Sequence, residues 1–268
     1  MNGMDLSADN RASRLKAVWP RVLAIAMLLG LAGCASVPTA PTRQMSQAPT
    51  PWEQAGRGPS GLADDQSLWQ HQTFPGKRKN QYSPVWREGR PAMAVQSDGA
   101  ISAMRKVVHT ASGEVQAIRF SWKVAGLMTQ ADLLDAARSD SPVRIVLAFD
   151  GDRSRLSARD AMLSELARSL TGEEMPYATL MYVWSNQLPA DTIVSSRRTD
   201  RIRKMVIESG PAGLNRWLDY ERDIRADFEK AFGEPPGRLM AVGIMTDSDN
   251  TGSSVRAWYG PVQLKRAP

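Results

Sequence analysis

The residues with the densest chemistry are 246–252, which read TDSDNTG. Two carboxylates, an amide and hydroxyl groups crowd into a short segment that ends in glycine. Asp247 and Asp249 stand at alternate positions, as calcium ligands do in an EF-hand loop. With Asp247 as the first position, Gly252 is the required sixth, but Trp258 stands at the twelfth, where a bidentate glutamate should close the cage. The segment is therefore not an EF-hand.

Three interpretations of this segment stay open. The Asp and Asn side chains can bond their own backbone and only form a turn. Asp247 and Asp249 can hold a structural calcium ion, of the kind that fastens β-sandwich loops, with further ligands from elsewhere. Asp247, Asp249 and Asn250 can also line a loop that contacts a polar ligand. No other metal or cofactor is predicted.

Aromatic side chains are the next candidates for binding, because their rings stack on sugars and their polar edges bond hydroxyl groups. The chain has eight tryptophans. The rings that we select for a binding face are Trp184, Trp217, Trp258 and Tyr259. Burial in the core is the alternative for each of them, since a large aromatic ring buries much surface.

Basic side chains are densest in the run 197–204. Arg201 and Arg203 alternate with apolar residues, which predicts that they share one face of a strand. Such a face fits the phosphates of lipopolysaccharide or an acidic glycan. An exposed charged strand that discourages edge pairing is the alternative.

Side chains suited to catalysis are sparse. The chain has two histidines and one cysteine, and neither zinc-ligand spacing nor a Gly-x-Ser-x-Gly elbow is present. Acid pairs such as Asp150 with Asp152 could serve as glycosidase carboxylates, but the separation that this chemistry requires is a three-dimensional property. Solvated loop carboxylates are the simpler interpretation, so a non-catalytic protein is expected.

Residues 1–33 are predicted to be a signal peptide. Basic residues precede the apolar run 22–32, VLAIAMLLGLA, whose ~11 residues are too few to span a bilayer core as a helix. The run ends in LAGC at 31–34, which resembles the lipobox of bacterial lipoproteins. That resemblance implies that Cys34 is lipidated and becomes the mature N-terminus, so the membrane is a predicted partner.

The resemblance also predicts a location. Ala35 follows Cys34 in place of the aspartate that often retains lipoproteins at the inner membrane, which favours the cell envelope at the periplasmic face of an outer membrane. Nucleic acid is then not an expected partner, although the net charge is +6. Because Cys34 is the only cysteine, no disulfide can form in the mature chain, and the core alone must hold the fold.

The chain divides into a tether and one domain. Residues 34–65 are rich in proline, serine and threonine and are predicted to be an extended tether, and 66–268 form a single globular domain. Apolar runs at 143–149, 178–184 and 238–245 predict strands covered on both faces. Residues 101–110 and 115–124 flank a Gly-containing turn and predict a hairpin. A strand at 201–208 should have one wet face, and a last strand at 254–264 is interrupted by Gly260-Pro261.

Two segments predict helices. The segment 157–172 begins at a capping Ser157 and ends at Gly172, and the segment 223–236 ends at Gly233. The apolar face of the first consists of Met162, Leu163, Leu166 and Leu170, and that of the second of Ile224, Phe228, Ala231 and Phe232. Strands outnumber helices without regular alternation, so the expected fold is mostly β: an antiparallel, jelly-roll-like β-sandwich with two helical insertions, a β-rich α+β fold.

Five separated blocks together resemble the bacterial family DUF3047, a domain of unknown function. The blocks are 141–152, 176–186, 201–210, 217–236 and 243–260. The resemblance implies exported proteins with a jelly-roll-like sandwich, similar in pattern to carbohydrate-binding modules, and it implies no activity. This chain departs from the family in the last block, where Pro261 stands in the place of an aspartate.

Three functional hypotheses follow. The leading one is a lipid-anchored periplasmic binding module, non-catalytic, for a glycan or another envelope component such as lipopolysaccharide. The second is a carboxylate-dependent envelope hydrolase, which a cluster of close carboxylates would favour. The third is a structural lipoprotein that binds a protein partner, which an exposed apolar patch would favour.

Overall fold

A computed structural model describes residue 52 and residues 69–108, 110 and 113–266. The predicted signal peptide, Cys34 and most of the predicted tether lie outside the described residues. The described residues belong to one compact unit, Gln47–Pro268. In the part of the chain that is described, no helix is both long and apolar enough to cross a bilayer.

Thirteen strands and two α-helices make up the described fold. The strands are β1 (Gln70–Thr73), β2 (Gln81–Arg87), β3 (Arg90–Asp98), β4 (Ile101–Val107), β5 (Val115–Val124), β6 (Ser141–Phe149), β7 (Ala178–Ser185), β8 (Ile193–Ser195), β9 (Ile202–Ser209), β10 (Leu218–Asp223), β11 (Leu239–Asp247), β12 (Ser254–Tyr259) and β13 (Gln263–Arg266). The helices are α1 (Ala158–Thr171) and α2 (Ile224–Phe232).

The strands form two sheets that enclose one main core. Sheet A has the order β1-β4-β11-β6-β7-β9-β8, and sheet B has the order β10-β5-β12-β3-β2, with β13 also paired to β5. Inward side chains of both sheets, among them Ile145, Tyr182 and Trp122, share the core cluster. The predicted mostly-β sandwich with two helices is confirmed. The pairs are antiparallel apart from β7 with β9, which run parallel.

The three apolar runs predicted to be doubly covered strands are β6, β7 and β11, which lie inside sheet A. The predicted hairpin of 101–110 with 115–124 is wrong. β4 pairs with β1 and β11 in sheet A, whereas β5 pairs with β10, β12 and β13 in sheet B. Each strand has an apolar side, and crossing between the sheets lets these two sides meet through the core.

The prediction of a wet face on β9 is also wrong. Four successive residues, 204–207, are buried. Met205 and Ile207 point into the main core, and Val206 on the opposite side packs with Leu133, Val183 and Val194 in a second cluster. The segment between β5 and β6 supplies Leu133, so a connection that sequence patterns do not place covers this face.

The predicted interruption of the last strand is present, as β12 and β13 are separated at residues 260–262. β12 lies inside sheet B, between β3 and β5, and β13 continues along β5. A Cβ on Gly260 would lie 2.1 Å from Ser121 Oγ, so the close approach of the two strands at this point requires glycine.

The helix α2 matches its prediction. The Asp223 carboxylate caps it by accepting from Ala226 N, and Gly233 ends it in the left-handed conformation. Phe228 is buried between Phe149 and Phe232, with ring centroids 4.7 and 4.4 Å away. This helix therefore closes the core near the start of β11.

The helix α1 matches its predicted ends but not the packing expected of an amphipathic helix. Ser157 caps it by accepting from Asp160 N, and Gly172 ends it in the left-handed conformation. Asp160 and Ser164 are its buried residues, whereas Met162, Leu166 and Leu170 are 65%, 52% and 71% exposed. The apolar face points away from the core.

Trp52 lies inside the segment predicted to be a tether, yet it is buried. Its ring centroid lies 4.7 Å from that of Trp69, and both rings belong to the main core. At least this position of the predicted tether is therefore packed against the domain.

We expect Phe228→Ala to lower the free energy of unfolding by about 3–5 kcal/mol, because it leaves a cavity among aromatic rings. Urea unfolding measures the loss. Met162→Ala on the exposed side of α1 is the matched control and should change stability by less than about 0.5 kcal/mol. Similar losses for both variants would contradict the assignment of the core.

Candidate functional site

A buried ion pair stands at the end of β11. Asp247 Oδ2 lies 2.6 Å from Arg144 Nη2 on the neighbouring β6, and the two side chains are 7% and 4% exposed. The pairing of β11 with β6 shifts register between Met245 and Asp247. A bulge of this kind re-aims a side chain, and here the Asp247 carboxylate meets the guanidinium.

Asp140, which precedes β6, holds the loop that follows β11. Its carboxylate accepts from Thr251 N at 2.8 Å, from Thr251 Oγ1 at 2.7 Å and from Asn250 N at 3.3 Å. Asn250 also donates through Nδ2 to Ala136 O at 3.4 Å. The TDSDNTG loop is thus fastened to the segment before β6 by a carboxylate from outside the loop.

Three carboxylates meet at this point, because Asp140, Asp247 and Asp249 each offer an oxygen within 4.8 Å of the others. Carboxylate oxygens are calcium ligands, and Asp247 Oδ1 is buried without a hydrogen-bond partner. Cations of the chain already contact two of the three, since Arg144 pairs with Asp247 and Lys77 with Asp249. A structural calcium ion therefore stays a prediction, with Asp140 as its third carboxylate.

The surroundings shift the pKa values of two carboxyl groups in this cluster in opposite directions. Burial raises the pKa of Asp247 to about 7, although Arg144 opposes the shift. Burial also acts to raise the pKa of Asp249, but hydrogen bonds from the Asp247 carboxyl and from Lys77 outweigh it and lower that pKa. Of the two carboxyls, Asp247 is therefore the first to take up a proton as the pH falls, and Asp249 keeps its charge to lower pH.

Lys204 on β9 completes this polar cluster. Burial lowers its pKa to about 7, with Arg144 adding to the shift and Asp247 and Asp140 opposing it. Its Nζ contacts Ser139 Oγ, and the backbone oxygen of Ser139 accepts from Arg144 Nη2 at 2.7 Å. Near neutral pH the cluster can therefore change charge at two buried groups.

Two of the selected aromatic residues cannot offer a ring to a ligand. Trp184 and Tyr259 are buried in the core, because they occupy inward positions of β7 and β12. The Trp184 indole donates to Gly210 O at 3.0 Å, and the Tyr259 hydroxyl donates to Met245 O at 2.6 Å. Their assignment to a binding face is corrected.

The other two tryptophans lie on the outer face of sheet B. Trp258 pairs with Lys123 in the register of β12 with β5, and Trp217 immediately precedes β10 on the other side of β5. Both side chains are partly buried. The Arg87 guanidinium lies 4.7 Å from the Trp258 ring centroid, and that of Arg90 lies 5.5 Å from the Trp217 ring centroid.

The predicted arginine face is present, but its side chains already contact other residues of the domain. The guanidiniums of Arg201 and Arg203 lie 5.3 and 5.7 Å from the ring centroid of Phe232, so they share one side of the strand as predicted. Arg201 also pairs with Glu234 at 2.5 Å and lies 4.1 Å over the Tyr177 ring. These contacts fasten α2 and its exit to sheet A, which leaves Arg201 little freedom to meet a phosphate.

Sequence reasoning did not single out Arg144, Asp140 or Lys77, and it counted Lys204 only as part of the basic run 197–204. A usable signal existed for two of them. Arg144 interrupts the apolar run VRIVLAF, and Lys204 stands before the apolar residues MVI in β9. Both positions are a signal because a charge within a buried strand needs a partner. Asp140 and Lys77 carry no such signal, because their role arises only from the tertiary contact.

The comparison with protein families decides the membership of the chain, since one family profile matches residues 67–263. The chain belongs to the family described as "Protein of unknown function (DUF3047)". The resemblance predicted from the five blocks is confirmed. No curated protein matches this DUF3047 chain.

Solved structures similar to the DUF3047 chain include glycan-related domains of β-sandwich fold. One is the xyloglucanase domain of NopAA, a type three effector from Sinorhizobium fredii in complex with cellobiose, with a TM-score of 0.40, 9% identity, and coverage of 74% of this chain and 93% of that one. Another, titled "CBM4 structure and function", has a TM-score of 0.34 and 8% identity, with coverage of 76% of this chain and 90% of that one. The endo-1,4-β-glucanase CelB2 has a TM-score of 0.36 and 12% identity, with coverage of 75% of this chain and 97% of that one.

We expect Arg144→Met in the DUF3047 domain to lower the free energy of unfolding by about 3–5 kcal/mol, because the variant leaves Asp247 buried without its partner. The double variant Arg144→Met with Asp247→Leu removes both charges and should lose less than the single variant. Urea unfolding of the unsubstituted protein, of Arg144→Met, of Asp247→Leu and of the double variant measures the coupling. Simple additivity of the two substitutions would contradict a coupled pair.

Lys204→Met tests the buried ammonium. Because burial lowers the pKa of Lys204 from 10.5 to about 7, the unfolded chain binds more protons than the folded one between these values, and stability rises with pH. The destabilising effect of Lys204 is fully present below about pH 7 and is lost toward pH 10.5. We expect the free energy of unfolding in urea to be higher for the variant than for the unsubstituted protein. This difference should be largest near neutral pH and should shrink as the pH rises toward 10.5. A difference independent of pH would refute the shift.

Proposed function

We propose that this DUF3047 protein is a lipid-anchored, non-catalytic binding module of the cell envelope that recognises a glycan through the outer face of sheet B. The observation that carries the proposal is the pair of tryptophans, Trp217 and Trp258, which flank Lys123 on that face. The anchor in this proposal is the lipidated Cys34, and the location is the periplasmic face of an outer membrane.

The chemistry of this face suits a polar ligand with flat apolar patches. Aromatic rings provide stacking surfaces for sugar rings, while nearby charged groups bond hydroxyl or carboxylate groups. The indole Nε1 of Trp217 is buried without a hydrogen-bond partner, so a ligand oxygen that reached it would satisfy a donor. Arg90 pairs with Asp219 at 2.7 Å beside it, which adds charged groups of both signs.

The arginines over the two rings belong to one short connection. Arg87 ends β2 and Arg90 begins β3, and between them Glu88 and Gly89 both have positive φ. This tight turn carries both guanidiniums across the face of sheet B. A sugar that stacks on Trp258 must share the ring with Arg87 or displace it, so an acidic sugar, which can also pair with the guanidinium, is the favoured ligand.

We expect Trp258→Ala to abolish the thermal stabilisation that an acidic envelope oligosaccharide produces. The panel of probes holds peptidoglycan fragments, neutral and acidic oligosaccharides, and lipopolysaccharide. A probe present at ~100 times its dissociation constant stabilises the folded protein by ~2.7 kcal/mol, which a thermal-shift measurement detects.

Trp86→Ala is the matched control for this experiment. Trp86 is 46% exposed and precedes Arg87 in β2, so it points to the other side of the strand. The control should keep the full shift. No shift with any probe, or equal loss in both variants, would sink the proposed glycan site.

The carboxylate-dependent hydrolase is the second candidate, and the Asp247–Asp249 pair is the observation that favours it. Environment raises the pKa of one carboxyl and lowers that of its neighbour, as in acid and base pairs of enzymes. Asp247 is buried and Lys77 already pairs with Asp249, so a substrate would have to displace that contact. The same oligosaccharide panel separates the two candidates, because hydrolysis releases new reducing ends and binding does not.

A further inference from the structure

The apolar stripe of α1 is the least explained surface of the described residues. We define the stripe as Met162, Leu166 and Leu170, which recur at every fourth position and so form one line along the helix. All three are more than half exposed. The described residues contain five exposed large hydrophobic side chains, and three of them belong to this stripe.

The side of α1 that packs on the domain is polar. Asp160 contacts the Thr199 hydroxyl, and Ser164 contacts the Arg153 guanidinium. A helix that only covered a sheet would bury its leucines and expose its aspartate. The reversed arrangement is fixed by specific polar contacts, so the stripe faces outward as a property of the fold.

Basic side chains stand at one end of the stripe. Arg159 precedes Met162 by three positions and extends the same line, and its Nη2 donates to the backbone oxygen of Arg197 at 3.3 Å. Arg197 and Arg198 are both exposed. Of the two acidic residues of the helix, Asp160 is buried and Glu165 is paired with Arg168 at 2.6 Å, so the exposed groups that α1 and Arg197 and Arg198 offer at this end of the stripe are positive.

The narrow width of the stripe indicates which kind of partner it can bind. A stable protein interface buries about 800 Å² on each partner, far more than three side chains in a line supply. An exposed apolar helix face with basic side chains beside it is instead a feature of helices that lie in the interface of a membrane. Each arginine near an anionic surface strengthens binding about fivefold.

We propose that the α1 stripe docks the domain on an anionic lipid surface, with Met162, Leu166 and Leu170 among the acyl chains and Arg159 among the headgroups. The proposal concerns the same membrane as the lipid anchor and in that respect rests on the proposed function. It gives the anchored domain a fixed face toward the bilayer.

The test places a reporter on the stripe of the full chain. Cys34→Ala removes the only native thiol, and Leu166→Cys then carries an environment-sensitive fluorophore. Vesicles that contain phosphatidylglycerol should shift the emission to the blue, and vesicles of phosphatidylcholine alone should not. Arg159→Gln should raise the lipid concentration needed for half of the shift about fivefold, the equivalent of one lost basic contact.

Leu134→Cys provides the matched control, because Leu134 is another leucine with more than half of its surface exposed. Its label should stay in water while the label at Leu166 shifts. A protein that sediments with the vesicles while the Leu166 label stays in water overturns the docking face. A protein that does not sediment at all also overturns the docking proposal. Because Cys34→Ala removes the proposed anchor, neither result bears on the anchor or on glycan binding at Trp258.

Two further outcomes also overturn the proposal. A blue shift that grows with protein concentration in the absence of lipid assigns the stripe to a second copy of the chain or to another protein. A label that is already shielded in dilute protein without vesicles assigns it to a segment of the same chain.

Discussion

The buried ion pair of Arg144 with Asp247 is the constraint around which one end of the sandwich is organised. It joins the two central strands of sheet A, and its charges are enclosed by Asp140, Asp249 and Lys204. Charges taken out of water are stable only when their partners are held in place. The loop after β11 and the segment before β6 are held for that reason, and any ligand that enters this end must compete with ion pairs that are already formed.

The two outer faces of the domain have different chemistry, and the sandwich keeps them apart. Sheet B presents Trp217 and Trp258 among arginines. The polar cluster lies at the end of β11 in sheet A, and α1 presents an apolar line above Asp160 and Ser164. The proposed glycan face and the proposed lipid-docking stripe therefore share no residues, so one does not compete with the other.

Local patterns of the sequence were sufficient for some elements and insufficient for others. The strands β6, β7 and β11 and the caps at Ser157, Gly172 and Gly233 follow from apolar runs and capping chemistry, which act over a few residues. The pairing of β4 and β5 depends on which sheet each strand joins, and the periodicity of either strand is the same in both arrangements. The site shows the same division: the TDSDNTG loop was visible in the sequence, whereas Asp140 and Lys77 reach it only through tertiary contacts.

The burial of Trp52 has a consequence for reach. A chain fixed to a bilayer at Cys34, as proposed, and to the core at Trp52 has 17 residues between the two points, and a fully extended chain spans at most about 3.5 Å per residue. The domain could then rise no more than about 60 Å from the bilayer, roughly half of what a free segment up to residue 65 would permit. A tether of this length would confine the domain to a thin layer next to its membrane. It would also raise the frequency with which each face of the domain meets that surface.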